Sequence, residues 1–319
     1  MEIIGAGLAF VVALATGGLA VTLGHRKGLL DTPDDDLKSH SRPAVPLGGA
    51  AFLLSVQTGL AAMGVVDTGF LVASGLLWVM GFVDDVRGLS PNLRLAGGIL
   101  GGVILAVFSG PASGLIAASI VVVAVVVTVN AVNLLDGMDA LTGVTTSVAF
   151  LGLALYGYVQ HSGASAVALV PIGGLVGFLF WNRPQARLFL GDNGAYVVGV
   201  TLVWTALQVG AGDGADLVAI ALVGVPLLDL GATIARRLVS RSPLFSGDRS
   251  HTYDLLREGG LPIWRVVGLY AIAQATWAAI LILVSGNATG TMAALSAVIL
   301  GAVIVFVTVL ALGGRPIRP

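Results

Sequence analysis

The sequence predicts an all-α protein, a polytopic bundle of about eleven transmembrane helices with its N-terminus outside and its C-terminus in the cytoplasm. Three observations carry this. Of 319 residues, 56% are hydrophobic and 10% charged, where a soluble domain has roughly a quarter charged; the mean hydropathy is +0.97. The apolar residues gather into runs close to the roughly 20 residues that a helix needs to cross a bilayer. All 16 Lys and Arg residues fall in alternate connections between those runs or in the C-terminal tail, and basic residues near crossing ends are retained in the cytoplasm.

The runs cover about 3–23, 47–65, 68–83, 94–109, 114–132, 142–160, 165–181, 195–211, 216–236, 263–285 and 291–312. Several are short, so ten crossings is the alternative. Residues Ile3 to Leu23 have no basic residue ahead of them and no clear cleavage site, so they are expected to stay as a first crossing. Arg26, Lys27, Lys38 and Arg42 mark the first connection as cytoplasmic. Arg87 and Arg94 mark the third, Arg183 and Arg187 the seventh, the run from Arg236 to Arg265 the ninth, and Arg315 and Arg318 the tail. The opposite connections, such as Gln160-His161-Ser162-Gly163, are short polar turns. The 45 glycines allow close helix approach and a compact bundle. Pro226 falls mid-run and is expected to kink the ninth helix. Residues 1–319 are expected to form one integral domain.

Composition also excludes classes of function. The chain has no Cys, which removes disulfides, thiolate metal sites and thiol catalysis. No basic patch is interleaved with aromatics, so nucleic acid is not an expected partner.

The residues that carry chemistry collect in the connections read as cytoplasmic. Asp84-Asp85 closes the third run; two adjacent carboxylates there are costly to desolvate without a cation or metal. Asn130, Asn133, Asp136 and Asp139 recur every three residues, which on a helix end would line their oxygens along one face. No basic residue shares that connection, and acids at a helix C-terminus oppose the dipole. Such oxygen-only ligands suit Mg²⁺ or Mn²⁺, not Zn²⁺. Asp192 stands between Gly191 and Gly194 in a third acidic element. Arg249 and His251 in the last large loop suit phosphate oxygens, as does the Lys38-Ser39-His40 segment of the first. Metal ligands, phosphate-binding cations and an apolar surface together suit phosphoryl transfer between a cytosolic nucleotide and a lipid phosphate.

With these motifs in order over almost its whole length, the chain resembles the polyprenyl-phosphate N-acetylhexosamine-1-phosphate transferases. The resemblance rests on Asp31-Thr32-Pro33 with Lys38, His40, Pro46 and Gly48-Gly49; on Asp84-Asp85 with Gly88-Leu89 and Asn92; on Asn133-Leu134, Asp136-Gly137 and Asp139; on Gly191-Asp192 and Gly194; and on Asp248-Arg249 with His251. The peptidoglycan branch typically carries three successive histidines in the last loop, where this chain has His251-Thr252-Tyr253-Asp254. It looks more like the branch that uses UDP-GlcNAc or a related UDP-sugar. Ala140 and Ala195 stand where the family usually has Gly and Ser, and one residue is inserted between Pro33 and Lys38.

The resemblance implies transfer of N-acetylhexosamine 1-phosphate, most simply GlcNAc 1-phosphate, from a UDP-sugar to a polyprenyl phosphate at the cytoplasmic face of the plasma membrane. It implies catalytic roles for Asp84, Asp85, Asp136, Asp139 and His251. Asp84 would orient or deprotonate the lipid phosphate. Substrate binding falls to Lys38, His40, Asn133 and Arg249, and ligation of Mg²⁺ or Mn²⁺ to Asp192 with Asn133. The lipid tail would lie along the ninth helix; a homodimer is left open. Two alternatives remain: a phospho-MurNAc-pentapeptide transferase, and a secondary transporter with an acidic coupling site. Transporter sites are expected near the bilayer midplane, whereas these acids sit at helix ends.

Overall fold

A computed structural model describes residues 2–31, 43–109, 114–210, 217–241 and 251–285 of the chain. Apart from two isolated bridge pairs, regular structure among them is helical: α1 Glu2–Lys27, α2 Gly48–Ala62, α3 Thr68–Arg87, α4 Pro91–Phe108, α5 Leu115–Leu135, α6 Leu141–Val159, α7 Leu169–Asn182 after a short 3₁₀ turn, α8 Gly191–Val209, α9 Leu217–Ala221, α10 Val225–Ser240, α11 Thr252–Glu258 and α12 Ile263–Val284. The run expected at 291–312 lies outside the described residues. Local chemistry sets several helix starts. Asp67 accepts the Phe70 amide (2.9 Å) to cap α3, and Ser90 caps α4 with Pro91 next in line.

The protein is membrane-integral. Among the described residues seven helices are long and apolar enough to cross a bilayer: α1, α3, α4, α5, α6, α7 with its preceding turn, and α12; α2 is apolar but shorter. Large apolar side chains such as Ile3, Leu115 and Leu283 point outward, as a lipid-facing surface requires.

Besides α2, two expected crossings among the described residues fall outside those seven, for different reasons. Helix α8 is the hub, with α2, α3 and α5 packed on it and every residue from Asn193 to Leu207 buried. A helix wrapped in protein has no need to be apolar all round, so it carries Asn193, Thr201 and Thr205. The ninth crossing is not kinked at Pro226, as expected, but broken at Leu222–Gly224, where Gly224 takes φ +60°. Pro226 sits in the first turn of α10, where its missing N–H costs no helical hydrogen bond.

A break in a helix within the membrane frees backbone groups that lipid cannot satisfy. Here α12 satisfies them. The fully buried Gln274 accepts the Val225 amide (2.8 Å) and donates to the Leu222 carbonyl (2.9 Å). Trp277 donates to the Ala221 carbonyl (2.8 Å). Helix α10 is then inverted in polarity: Asp229, Thr233 and Arg237 are buried, whereas Ile234, Leu238 and Val239 are exposed.

The crossing of α3 and α8 depends on Gly81. A Cβ there would overlap the backbone of Asn193, which has nowhere to move. On the same helix a Cβ at Gly75 would meet nothing within 4 Å. Gly81→Ala is expected to destabilise the protein by about 2–3 kcal/mol through overpacking, while Gly75→Ala shifts stability by less than about 1 kcal/mol. Thermal unfolding of the two variants in one detergent checks this; equal shifts would contradict the packing.

Candidate active site

Three helix ends meet at one place: the last turn of α3, the C-terminus of α5 and the N-terminus of α8. The first amides of α8 have no intrahelical partner, and Leu190 at its N-cap offers no side-chain acceptor. Asp85, from α3, supplies it. Its Oδ1 accepts the Asp192 amide (2.9 Å); its Oδ2 accepts the Asn193 amide (3.1 Å) and the Asn193 side-chain Nδ2 (2.6 Å). The carboxylate also meets the positive end of the helix dipole. Gly191 makes room: its φ is +71°, and a Cβ there would approach Asp85 to 2.9 Å.

Asp84 faces the other way. Buried, it accepts from the Leu89 amide (2.7 Å), from Arg94 Nη2 (2.8 Å) and from Tyr196 (2.8 Å), with Arg94 Nε 2.7 Å from its second oxygen. Asn133 Nδ2 donates to Asp192 Oδ1, tying α5 to α8.

The expected single face of Asn133, Asp136 and Asp139 does not form, because α5 ends at Leu135. Asp136 is the C-cap of α5. The residue is partly exposed, but its carboxyl group is sunk among protein atoms. That loss of water, followed by repulsion from Asp192 and Asp85, holds it well above the usual carboxylate range. Asp139 lies beyond the helix, where its Oδ2 accepts the Gln185 (2.9 Å) and Ala186 (3.2 Å) amides and pins the α7–α8 loop. Next to it Ala140 adopts φ +65°, a left-handed conformation that glycine takes without strain, so the departure from the family's glycine falls at a position of physical consequence. Buried Asn182 accepts the Ala140 amide and donates to the Leu188 carbonyl, both at 2.9 Å.

The remaining wall is a backbone zipper. Asp31 pairs with Ala44, the Val45 amide donates to the Arg187 carbonyl (3.1 Å), the Phe189 amide to Val45 (2.9 Å), and the Gly48 amide to Phe189 (2.9 Å). The result is a cavity of about 600 Å³ lined by Asp85, Asn133, Asp136, Asp139 and Asp192, with Asp31 and Asn182. Five of the expected site residues are thus brought together. Asp84 stands behind the wall and does not line the cavity. His251 does not line it either; it is buried beside Asp229 on α10 and stacks on Tyr253. Tyr253 donates to the Leu134 carbonyl (3.2 Å) and packs on Gly137, which links that cluster to the cavity's edge. Lys38, His40 and Arg249 lie outside the described residues.

The sequence reading missed Arg94, Tyr196, Asn182, Asn193 and Asp229. Asn193 was within reach, standing between Asp192 and Gly194. Tyr196 and Asp229 sit inside apolar runs, Asn182 directly follows one, and Arg94 passed for a topology signal. Among the described residues no three His, Asp or Glu side chains converge into a complete metal cage.

Residues 68–210, from α3 through α8, match the model of the glycosyl transferase family 4. The chain is 30% identical over 230 residues to the undecaprenyl-phosphate alpha-N-acetylglucosaminyl 1-phosphate transferase of Thermotoga maritima, covering 71% of this chain and 72% of that one. It is 28% identical over 285 residues to the probable undecaprenyl-phosphate N-acetylglucosaminyl 1-phosphate transferase of Bacillus subtilis, covering 80% and 78%. It is also 28% identical over 317 residues to the decaprenyl-phosphate N-acetylglucosaminephosphotransferase of Mycobacterium tuberculosis, covering 84% and 78%. A helical membrane protein with an acid-lined cavity at its helix ends, it is a phosphosugar transferase by class. The chain belongs to the polyprenyl-phosphate N-acetylhexosamine-1-phosphate transferase family.

If Asp139 pins the loop before α8, Asp139→Ala should free the Gln185 and Ala186 amides. Their hydrogen exchange is expected to quicken about tenfold, the worth of one hydrogen bond to a charged acceptor. Unchanged exchange over 183–190 would show that the loop is held otherwise.

Proposed function

We propose that this chain transfers N-acetylglucosamine 1-phosphate from UDP-GlcNAc to a polyprenyl phosphate, releasing UMP, at the cytoplasmic face of the plasma membrane. This would be the first membrane step of cell-wall or surface glycan synthesis. The observation that carries the reading is the pairing of two sites on one helix. The acid-lined cavity lies at the end of α5. Along the same helix runs an apolar groove of about 580 Å³, lined by Leu115, Ile116, Ile120 and Val123 of α5 with Ile220 of α9 and Leu227 of α10. The groove reaches Thr128, five residues or roughly 7 Å from Asn133 at 1.5 Å per residue. A prenyl tail in the groove would deliver its phosphate to the cavity. The relatives are named for the same acceptor class and the same transferred group, an N-acetylglucosamine phosphate moved to a polyprenyl phosphate.

In the reaction a lipid phosphate oxygen bonds to the phosphorus that carries the sugar, as that phosphorus parts from the UMP oxygen. Asp192, with Asn133, would hold the metal, and Asp85 keeps Asp192 fixed at the helix end. An incomplete protein cage fits Mg²⁺ or Mn²⁺, which take one or two carboxylates and complete their shell with phosphate oxygens and water. Such an ion supplies neutralisation of the pyrophosphate and of the departing UMP. Asp85, Asp136 and Asp139 face the cavity and position what enters it. Asp84 serves the site from behind, holding Arg94 and Tyr196.

Purified protein with polyprenyl phosphate is expected to release UMP from UDP-GlcNAc faster than from UDP-MurNAc-pentapeptide, and only with Mg²⁺ or Mn²⁺. Asp192→Asn is expected to cut the rate at least about 100-fold, the scale of losing an electrostatic partner of the reacting group. It should also abolish any rise in unfolding temperature on adding Mg²⁺. Full activity in metal-free protein, or a preference for the muramyl donor, would overturn the corresponding part.

The distribution of Lys and Arg motivates the orientation. In this Cys-free chain, a cysteine placed at Ser90 is expected to react with impermeant reagents from the cytoplasmic side alone. Labelling from outside only would reverse the topology.

A further inference from the structure

Asp229 is a buried carboxylate that the proposed reaction does not use. It projects from α10 on the same inward face as Thr233 and Arg237, one and two turns on, and all three are buried. Oδ1 accepts the Tyr270 hydroxyl of α12 at 3.1 Å. Oδ2 has no hydrogen-bond partner, and it lies 3.7 Å from Nδ1 of His251. The same imidazole nitrogen is 3.3 Å from the Thr233 hydroxyl, which itself accepts from Arg236 (3.2 Å). His251 is buried and stacks on Tyr253, with ring centroids 5.2 Å apart and planes 2° from parallel.

An acceptor-only group, short of one donor and cut off from water, faces one edge of a ring that carries a proton on either nitrogen. Leaving Asp229 Oδ2 without a donor is expensive. A proton on Nδ1 turns an N–H toward that oxygen, at the 3.7 Å separation of an ion pair, and leaves Nε2 as the edge turned elsewhere. The partner of one imidazole nitrogen decides the state of the other. Among the described residues, the charged and titratable groups that touch the ring or its partners include Asp229 and Arg236 from α10, Tyr253 from α11 and Tyr270 from α12.

We propose that Asp229 is a positioning residue for His251: it fixes the ring with Nδ1–H inward and Nε2 as the edge turned to substrate, which donates to a phosphate oxygen when that nitrogen carries a proton as well. The phosphate role rests on the function proposed above; the ring state does not. The broken ninth helix explains why the carboxylate is there. The break held by Gln274 starts α10 at Val225, which sets Asp229 in its second turn, beside Tyr270 on α12 and His251.

The test has two arms on the full-length protein. In the first, ¹⁵N-histidine is incorporated; the chain has four His, and His251→Gln assigns the signal. Nδ1 of His251 is expected to be protonated in the wild type. A neutral ring with its proton on Nε2 alone would overturn the proposal, and this reading needs neither activity nor a folded Asp229 variant. In the second arm, Asp229→Asn is expected to lower kcat/KM for UMP release about 10- to 100-fold, the usual cost of losing a partner that orients a histidine. Asp229→Glu should restore part of the rate, and in a His251→Ala background Asp229→Asn should cost less than about threefold more. Equal losses in both backgrounds would assign Asp229 a role apart from His251. If the wild type released no UMP, the reaction would fall while the first arm still judged the ring.

Discussion

The clamp between Asp85 and the start of α8 joins two costs that neither helix bears well alone. A carboxylate in the last turn of α3 needs donors once water is removed. The first amides of α8, enclosed by α2, α3 and α5, need acceptors. Each supplies what the other lacks, and the Asn193 side chain adds a third donor at 2.6 Å. The contact exists only because Gly81 and Gly191 have no side chains in the way. The site follows from it. Asp192 is the first acidic residue of α8, so fixing the helix start fixes Asp192 opposite Asn133 and leaves the carboxylates of three helices around one cavity.

Polarity elsewhere is sorted by the same rule. Several buried polar groups are matched across helices: Asp84 with Arg94 and Tyr196, Gln274 with the broken backbone of α9 and α10, Asp229 Oδ1 with Tyr270. Lipid-facing positions stay apolar. The break at Leu222–Gly224 is therefore a feature that the neighbouring helix completes, and residues on both sides of it, Ile220 and Leu227, line the apolar groove.

Much of this was legible in the sequence. Each of the seven helices that could cross a bilayer matches one expected run, with ends that differ by up to about four residues, because length and hydropathy alone define them. The acidic motifs Asp85, Asn133, Asp136, Asp139 and Asp192 were read as one site, and they line one cavity. What the sequence hid was long-range. The three-residue spacing of Asn133, Asp136 and Asp139 suggested a helical face, yet the helix stops at Leu135, and Asp139 turns to the amides of Gln185 and Ala186. Pro226 signalled an irregular ninth helix, but the residue that makes a full break affordable, Gln274, lies some fifty positions on in another run. Asp84 and Asp85 are adjacent and chemically alike; only the fold turns one to Arg94 and the other to α8.

The central claim, that Asp85 holds the start of α8, is tested most directly by a double-mutant cycle. Unfolding free energies are measured for Asp85→Ala, Asn193→Ala and the pair. The clamp predicts a coupling of about 1–2 kcal/mol, within the range for residues that share a hydrogen bond to a charged group. Additivity within about 0.5 kcal/mol would contradict it, because the two side chains would then act on the fold independently.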